Sequence, residues 1–399
     1  MELGVGVRLL LLLASLLAAC APAAPAARPS DAGAVASAPA PPAASLPEAG
    51  GAAGSAPAGG GANSAAPGSG GPGGAGAPPL VHLNVATQHL TSDVAMYVAM
   101  EKGYFAEQGL DVEFADITTS QGSIPPLAAG QLDVGVGSMS PGLFNAIARG
   151  IDVKLVATKG AGPPEPSSPF AGSNALVVAA PVFASGAIRD YPDLRGKRVA
   201  LPDRGSTMEM TLTRALERGG LTIDDVDLKL MPFPDTLAAL ANGSVDAAMQ
   251  LEPYIAQGVA RGIHVLWKRG AELIPGQQAT AVVYGPTMAQ MPGNAGGRLM
   301  VAYTRGLRDY NDAMGPKQRG REELISILIQ NTALKDRAVY DQLGWGYFNP
   351  DCSLNADSIA EILDWYVANG HVPQRPDLAQ ALDDRYCAYA VQQLGRYQP

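Results

Sequence analysis

"EKGYFAEQGLDVEF", Glu101 to Phe114, is the stretch that decides the fold. Before it, residues 93–102 carry Val94, Tyr97 and Val98 at helical spacing, and Ser92 stands where a helix N-cap would. Gly103 then ends the helix, because glycine enters the left-handed conformation without a Cβ penalty. Tyr104 and Phe105 cover the turn, and "LDVEF" (110–114) alternates apolar and polar residues as a strand does. Upstream, "LVHLNVA" (80–86) alternates in the same way, with "TQHLTS" as the connecting loop. Strand, helix, sharp stop and strand predict a βαβ unit that lays the second strand parallel to the first.

The pattern continues to the right of this unit. Strands are predicted over 132–137, 152–158, 175–180, 197–201, 226–231, 245–250, 264–268 and 280–285, with helices over 124–130, 141–149, 207–218 and 235–243. After Gly297 the chain turns helical, over 297–314, 321–330, 335–344, 355–369 and 376–391. Two α/β blocks and a helical tail result. The blocks echo each other: "PPLAAGQLDVGVGS" (125–138) and "AALANGSVDAAMQ" (238–250) both end a helix at Gly and begin a strand at Asp three residues later.

The left flank is different. Residues 21–79 are Ala, Gly, Pro and Ser apart from Arg28, Asp31, Val35, Leu46, Glu48 and Asn63. Such a composition has too little apolar surface to offset its ordering entropy, so a disordered linker over 20–79 is expected. Before it, Arg8 and the apolar run Leu9–Ala19 have the form of a secretory signal peptide, residues 1–19, too short for a membrane span. Leu17-Ala18-Ala19-Cys20 resembles a bacterial lipobox, which predicts lipidation of Cys20 and tethering of the folded part to a membrane. Of the formal net charge of −9, the first 79 residues carry −1 (Glu2, Asp31 and Glu48 against Arg8 and Arg28) and the rest −8. There is no basic stripe, so nucleic acid is not an expected partner. An exported compartment permits a bridge between Cys352 and Cys387, although spacing alone does not decide pairing. There is no CxxC and no His cluster, so neither a metal nor a cofactor is expected.

Four motifs in order carry a family resemblance: "MEKGYFAEQGLDVEF", "LAAGQLDVGVGSMSPGLFNAIARGIDVKLVA", "DLRGKRVALPDRGST" and "LANGSVDAAMQLEPY". Together they resemble the ABC-transporter substrate-binding proteins of the nitrate/sulfonate/taurine and thiamine-pyrimidine-precursor group. The resemblance implies an α/β, two-lobed type II periplasmic-binding-protein fold. The first lobe would comprise residues 80–174, the second 175–279, and residues 280–399 would return through a hinge to give the first lobe its helical tail. "ALVVAA" (175–180) and "TAVVYG" (280–285) would be the crossing strands. The implied partners are a small-molecule ligand and an ABC permease with its ATPase.

In open α/β sheets ligands sit beyond the C-terminal strand ends, which marks 87–93, 121–124, 137–141, 205–207 and 250–254 as cleft-facing loops. Gln88, His89 and Ser92 can donate or accept from the first loop. Ser138 can offer a hydroxyl, and Ser140 either contacts the ligand or caps the helix that begins with Pro141. Ser206 and Glu209 fit an S-x-x-E capping box, with Gly205 and Thr207 free to meet the ligand. Glu252, at a strand end before proline, would accept hydrogen bonds from a ligand and disfavour a free sulfonate. A small neutral or cationic nitrogen compound is therefore the expected solute. Tyr97, Trp267, Trp345 and Trp365 are expected to serve packing. No catalytic set emerges. A thiamine-pyrimidine synthase shares the implied fold, but the cysteine-rich run of those enzymes is missing from this chain. A ligand-sensing domain is the remaining alternative.

Overall fold

The structure is a computed structural model that describes residues 80–117, 119–165, 168 and 170–398, with no side chain described for residue 121. The expected signal peptide, Cys20 and the linker lie outside the described residues.

Two five-stranded sheets carry the described residues. The first is built from β1 (Val81–Thr87), β2 (Leu110–Asp116), β3 (Val134–Ser138), β4 (Lys154–Ala161) and β10 (Gln278–Tyr284), in the order β2-β1-β3-β10-β4. The second holds β5 (Asn174–Ala179), β6 (Arg198–Leu201), β7 (Asp227–Leu230), β8 (Ala247–Leu251) and β9 (His264–Arg269), in the order β7-β6-β8-β5-β9. The two orders match once the antiparallel fourth-place strand is set apart, since β10 enters the first sheet last and β5 enters the second first, and both lobes share that arrangement. The α/β, two-lobed periplasmic-binding-protein fold with a helical tail is what the chain adopts.

The opening motif behaves as its residues dictate. Helix α1 (Val94–Glu101) buries Val94, Tyr97 and Val98 on one face, Gly103 takes φ +71° just past its end, and β2 pairs parallel to β1 in register from Val81↔Leu110 onward. Ser92 is not the cap. Asp93 holds the N-cap position, and its carboxylate accepts the backbone N–H groups of Gln88 and Leu90. Both amides go to one carboxylate oxygen, which leaves the other to meet the Lys159 ammonium at 2.7 Å, a charge pairing that a serine hydroxyl could not supply.

The internal echo has a hydrogen-bonding cause. Asp133 accepts the backbone N–H of Asn84 in β1 at 2.9 Å, and Asp246 accepts that of Arg198 in β6, also at 2.9 Å. Gly130 and Gly243 adopt φ +71° and +77° at the ends of the preceding helices. Each lobe thus uses Gly to turn the chain and Asp three residues later to pin the new central strand to its parallel neighbour.

Further helices are α2 (Pro141–Ala148), α3 (Thr207–Arg218), α4 (Phe233–Asn242), α5 (Tyr254–Ala260), α6 (Ala295–Met314), α7 (Arg321–Asn331), α8 (Ala356–Ala368) and α9 (Arg385–Leu394). The tail differs from expectation in two places. Only Arg337–Tyr340 is helical within 335–344, because Gly344 and Gly346 flank Trp345 and break the periodicity. The span 376–391 splits into Leu378–Ala381 and α9, with Leu382 between them bridging Leu155 of β4.

The chain passes between the sheets just ahead of β5 and again just ahead of β10, so each of these strands belongs wholly to one sheet. Helices α6 and α9 pack on the first lobe. Helix α8 instead touches both α2 and α3, and one apolar cluster runs through Leu143, Leu212, Ile359 and Ile362. Cys352 and Cys387 form a disulfide that ties α9 to the loop after Trp345.

Candidate functional site

A cavity of about 200 Å³ opens between the two lobes at the crossovers. The β1 loop contributes Leu90, Thr91 and Ser92 from the first lobe, and the end of β8 contributes Leu251 and Glu252 from the second. Strands β4 and β10 supply Gly160 and Thr280, and the segment ahead of β5 supplies Ser173. The tail closes it with Tyr310 of α6 and with Leu343, Trp345 and Phe348. Strand ends of two parallel-type sheets meeting at a hinge are where the fold places ligands.

Behind Ser92 lies a buried ion pair. Lys159 of β4 reaches Asp93 at 2.7 Å, with side chains only 3% and 1% exposed. The same ammonium donates to the Ser92 hydroxyl oxygen at 3.2 Å. Asp93 therefore neutralises the lysine, fixes the loop, and leaves Ser92 as the group presented to the cavity. Lys159 was not legible as a site residue, since it sits inside a strand pattern rather than in a loop.

Glu252 has both carboxylate oxygens engaged. One accepts the Gly344 N–H at 2.7 Å, the other the Ala256 N–H in the first turn of α5 at 3.0 Å. Burial pushes its carboxyl above the usual range, while the two amides and the charge of Arg269 pull it back. The bond from Gly344 joins the second lobe to the tail loop.

The other expected residues are distributed more widely. Gln88 accepts from Ser120 at 3.1 Å. His89, at φ +54°, turns its ring to Asp116 (2.8 Å) and to the Asn331 carbonyl (2.9 Å); these acceptors raise its pKa. Neither lines the cavity. Ser138 pairs across the ladder with Thr280, a cavity residue. Ser140 accepts the Leu143 N–H and caps α2.

Ser206 caps α3 by accepting the Glu209 N–H at 3.2 Å, as its spacing predicts. The return bond is shifted by one residue: Glu209 accepts the N–H of Gly205 rather than of Ser206. Glu209 is 3% exposed and pairs with Arg204 at 2.6 Å, so that arginine is spent on the second lobe itself. Gly205, at φ +67°, lies against Pro141 and His371; a Cβ there would meet His371 Nδ1 at 3.3 Å. The N-termini of α2 and α3 do face each other, but His371 after α8 stands beside them. Thr207 offers its carbonyl to Thr211 and Gln277.

Tyr97 and Trp365 pack as expected, Tyr97 donating or accepting at Thr87 (2.6 Å) and Trp365 against Tyr366 and His371. Trp267 packs on Tyr191. Trp345 departs from expectation by lining the cavity. Among the described residues, no group of three His, Cys, Asp or Glu is placed to hold a metal ion, and no helix is long and apolar enough to cross a membrane.

The family model described as NMT1/THI5 like matches residues 91–265, the span from the β1 loop into β9. Over that span the chain is similar to the family. The resemblance drawn from the four motifs, all of which lie inside that match, stands with it. A provisionally named binding protein of Brucella abortus is 29% identical to the chain over 151 residues, 38% of this chain and 41% of that one. The matched region thus spans about two fifths of that relative. A provisionally named aliphatic sulfonates-binding protein of Escherichia coli is 26% identical over 260 residues, 64% of this chain and 74% of its own. Among solved structures, the periplasmic aliphatic sulphonate binding protein SsuA from Escherichia coli superposes with a TM-score of 0.61 at 22% identity, covering 76% of this chain and 92% of SsuA. A mutant of the desulfurization enzyme DSZB, in complex with biphenyl-2-sulfinic acid, superposes at 0.56 with 17% identity over 79% of this chain and 99% of its own. The fold thus houses both binding proteins and an enzyme.

Proposed function

We propose that this protein is the extracytoplasmic solute-binding component of an ABC importer. It captures a small nitrogen- or sulfur-containing compound in the inter-lobe cleft and delivers it, by lobe closure, to a permease driven by its ATPase. The observation that carries this proposal is the cavity walled by both lobes and the tail, in a chain related to a sulfonates-binding protein. Residues 80–174 and the tail from 280 onward would form one lobe and 175–279 the other. The signal-like residues 1–19, Cys20 and the linker 20–79 would export the protein, acylate it and hold it by lipid to the outer face of the cytoplasmic membrane.

Titration calorimetry of the purified full chain against sulfonates, nitrate, taurine and aminopyrimidines tests capture. One-to-one binding without turnover is the expected result, and steady conversion of any of these compounds would overturn it. The fold shared with the desulfurization enzyme DSZB makes turnover the second reading, which the same incubation detects. Replacing Cys20→Ala should move the protein from the membrane fraction to the supernatant; retention with undiminished lipid labelling would refute the anchor.

A further inference from the structure

The cavity has two unlike ends. At one, Tyr310 meets Trp345 edge-on at 6.2 Å between ring centroids and Phe348 at 4.8 Å. The Tyr310 hydroxyl is spent on the Gly346 carbonyl at 2.6 Å, so this residue presents its ring and no polar handle. Leu90, Leu251 and Leu343 extend the apolar surface. At the other end Ser92 accepts from the Lys159 ammonium, which leaves the serine O–H to donate into the cavity. The lysine charge is balanced by Asp93, and the nearby carboxylate of Glu252 already holds two backbone N–H groups. The walls therefore carry no surplus cation for a bare anion, whose desolvation would go uncompensated.

Resting on the solute-capture reading, we propose that the cleft selects a small, flat, uncharged ring compound with one hydrogen-bond acceptor. The ring stacks in the corner of Tyr310, Trp345 and Phe348, and the acceptor takes the Ser92 hydroxyl. About 200 Å³ lies below the ~300–1,000 Å³ of pockets that hold drug-sized ligands, which suits a single ring with one or two short substituents. Glu252 is a positioning residue in this scheme: by holding the Gly344 N–H it sets the loop that carries Trp345, and it makes the aromatic corner depend on the second lobe being docked.

The test uses the full-length protein and three probes of similar bulk: benzamide (a neutral ring), hexanamide (neutral, acyclic) and 1-butanesulfonate (anionic, acyclic). Calorimetry should show benzamide binding about tenfold more tightly than either acyclic probe, in line with the usual worth of an aromatic contact. Trp345→Leu should abolish that preference and Trp345→Phe should retain it, the pair separating ring recognition from a fold defect. Ser92→Ala should weaken benzamide severalfold. Equal or tighter binding of butanesulfonate, or a preference untouched by Trp345→Leu, overturns the ring selectivity while leaving solute capture intact. Silence from all three probes, and from sulfonates, nitrate and aminopyrimidines as well, overturns both.

Discussion

Glu252 of the second lobe and Gly344 of the tail loop are joined by a 2.7 Å hydrogen bond across the cleft, carboxylate to backbone amide. The bond turns a residue legible as a ligand acceptor into a clasp. Replacing Glu252→Gln keeps the shape but swaps one acceptor oxygen for an NH₂ group that would face a backbone N–H. An amide is then left unpaired, at a cost of roughly 1–3 kcal/mol. Urea denaturation should show that loss, and hydrogen exchange should show faster exchange at Gly344 or Ala256. Unchanged exchange at both amides would mean that the clasp is not held in solution.

The pair Lys159–Asp93 is buried on both sides. Removing one partner leaves an uncompensated charge, so Lys159→Met is expected to destabilise by roughly 3–5 kcal/mol. The same change should weaken ligand binding through Ser92, which loses the donor that orients its hydroxyl. Chemical denaturation and calorimetry measure the two effects separately.

Cys352 and Cys387 are 35 residues apart in sequence. Closing a loop of that length is worth roughly 3–4 kcal/mol through the unfolded state. Reduction with dithiothreitol should lower the melting temperature by several degrees. It should also cut ligand affinity, because the bonded loop contributes Phe348 to the cavity and Cys352 accepts the Thr158 N–H through its carbonyl. A reduced protein with the oxidised melting temperature would show that the bridge contributes nothing.

His264 begins β9 with 2% exposure, its Nε2–H donating to the Ile255 carbonyl at 3.1 Å. Burial holds its pKa below the ordinary 6.5. The unfolded chain therefore binds a proton first as the medium acidifies. This site's contribution is fully present above pH 6.5 and is lost as pH falls from there through the lowered folded value. His264→Gln keeps a side-chain N–H and does not titrate. The stability difference between wild type and variant should accordingly drift against the wild type between about pH 7 and about 5.5; a difference that is flat over that range would refute the assignment.

The βαβ opening, the doubled Gly-x-x-Asp joint and the caps at Ser140 and Ser206 were legible because each depends on residues within a few positions of one another: a glycine for positive φ, a carboxylate or hydroxyl for the next free amide. Strand and helix order follows from periodicity, and with it the two-lobed architecture. What the linear chain could not display are partners chosen by distance in space. Lys159 reads as a strand residue until Asp93 and Ser92 arrive beside it from 66 and 67 positions away. Trp345 reads as packing until Tyr310 and the crossovers leave one side of it open. Glu252 reads as free until Gly344 returns to it across 92 residues. The sequence by itself determined the elements, their order and the repeat of one lobe in the other, because local backbone preferences and hydrophobic spacing act over short range. Only the tertiary structure decided which polar groups were already spent on each other and which surfaces faced the cavity, because hydrogen bonding and burial are settled by neighbours in space.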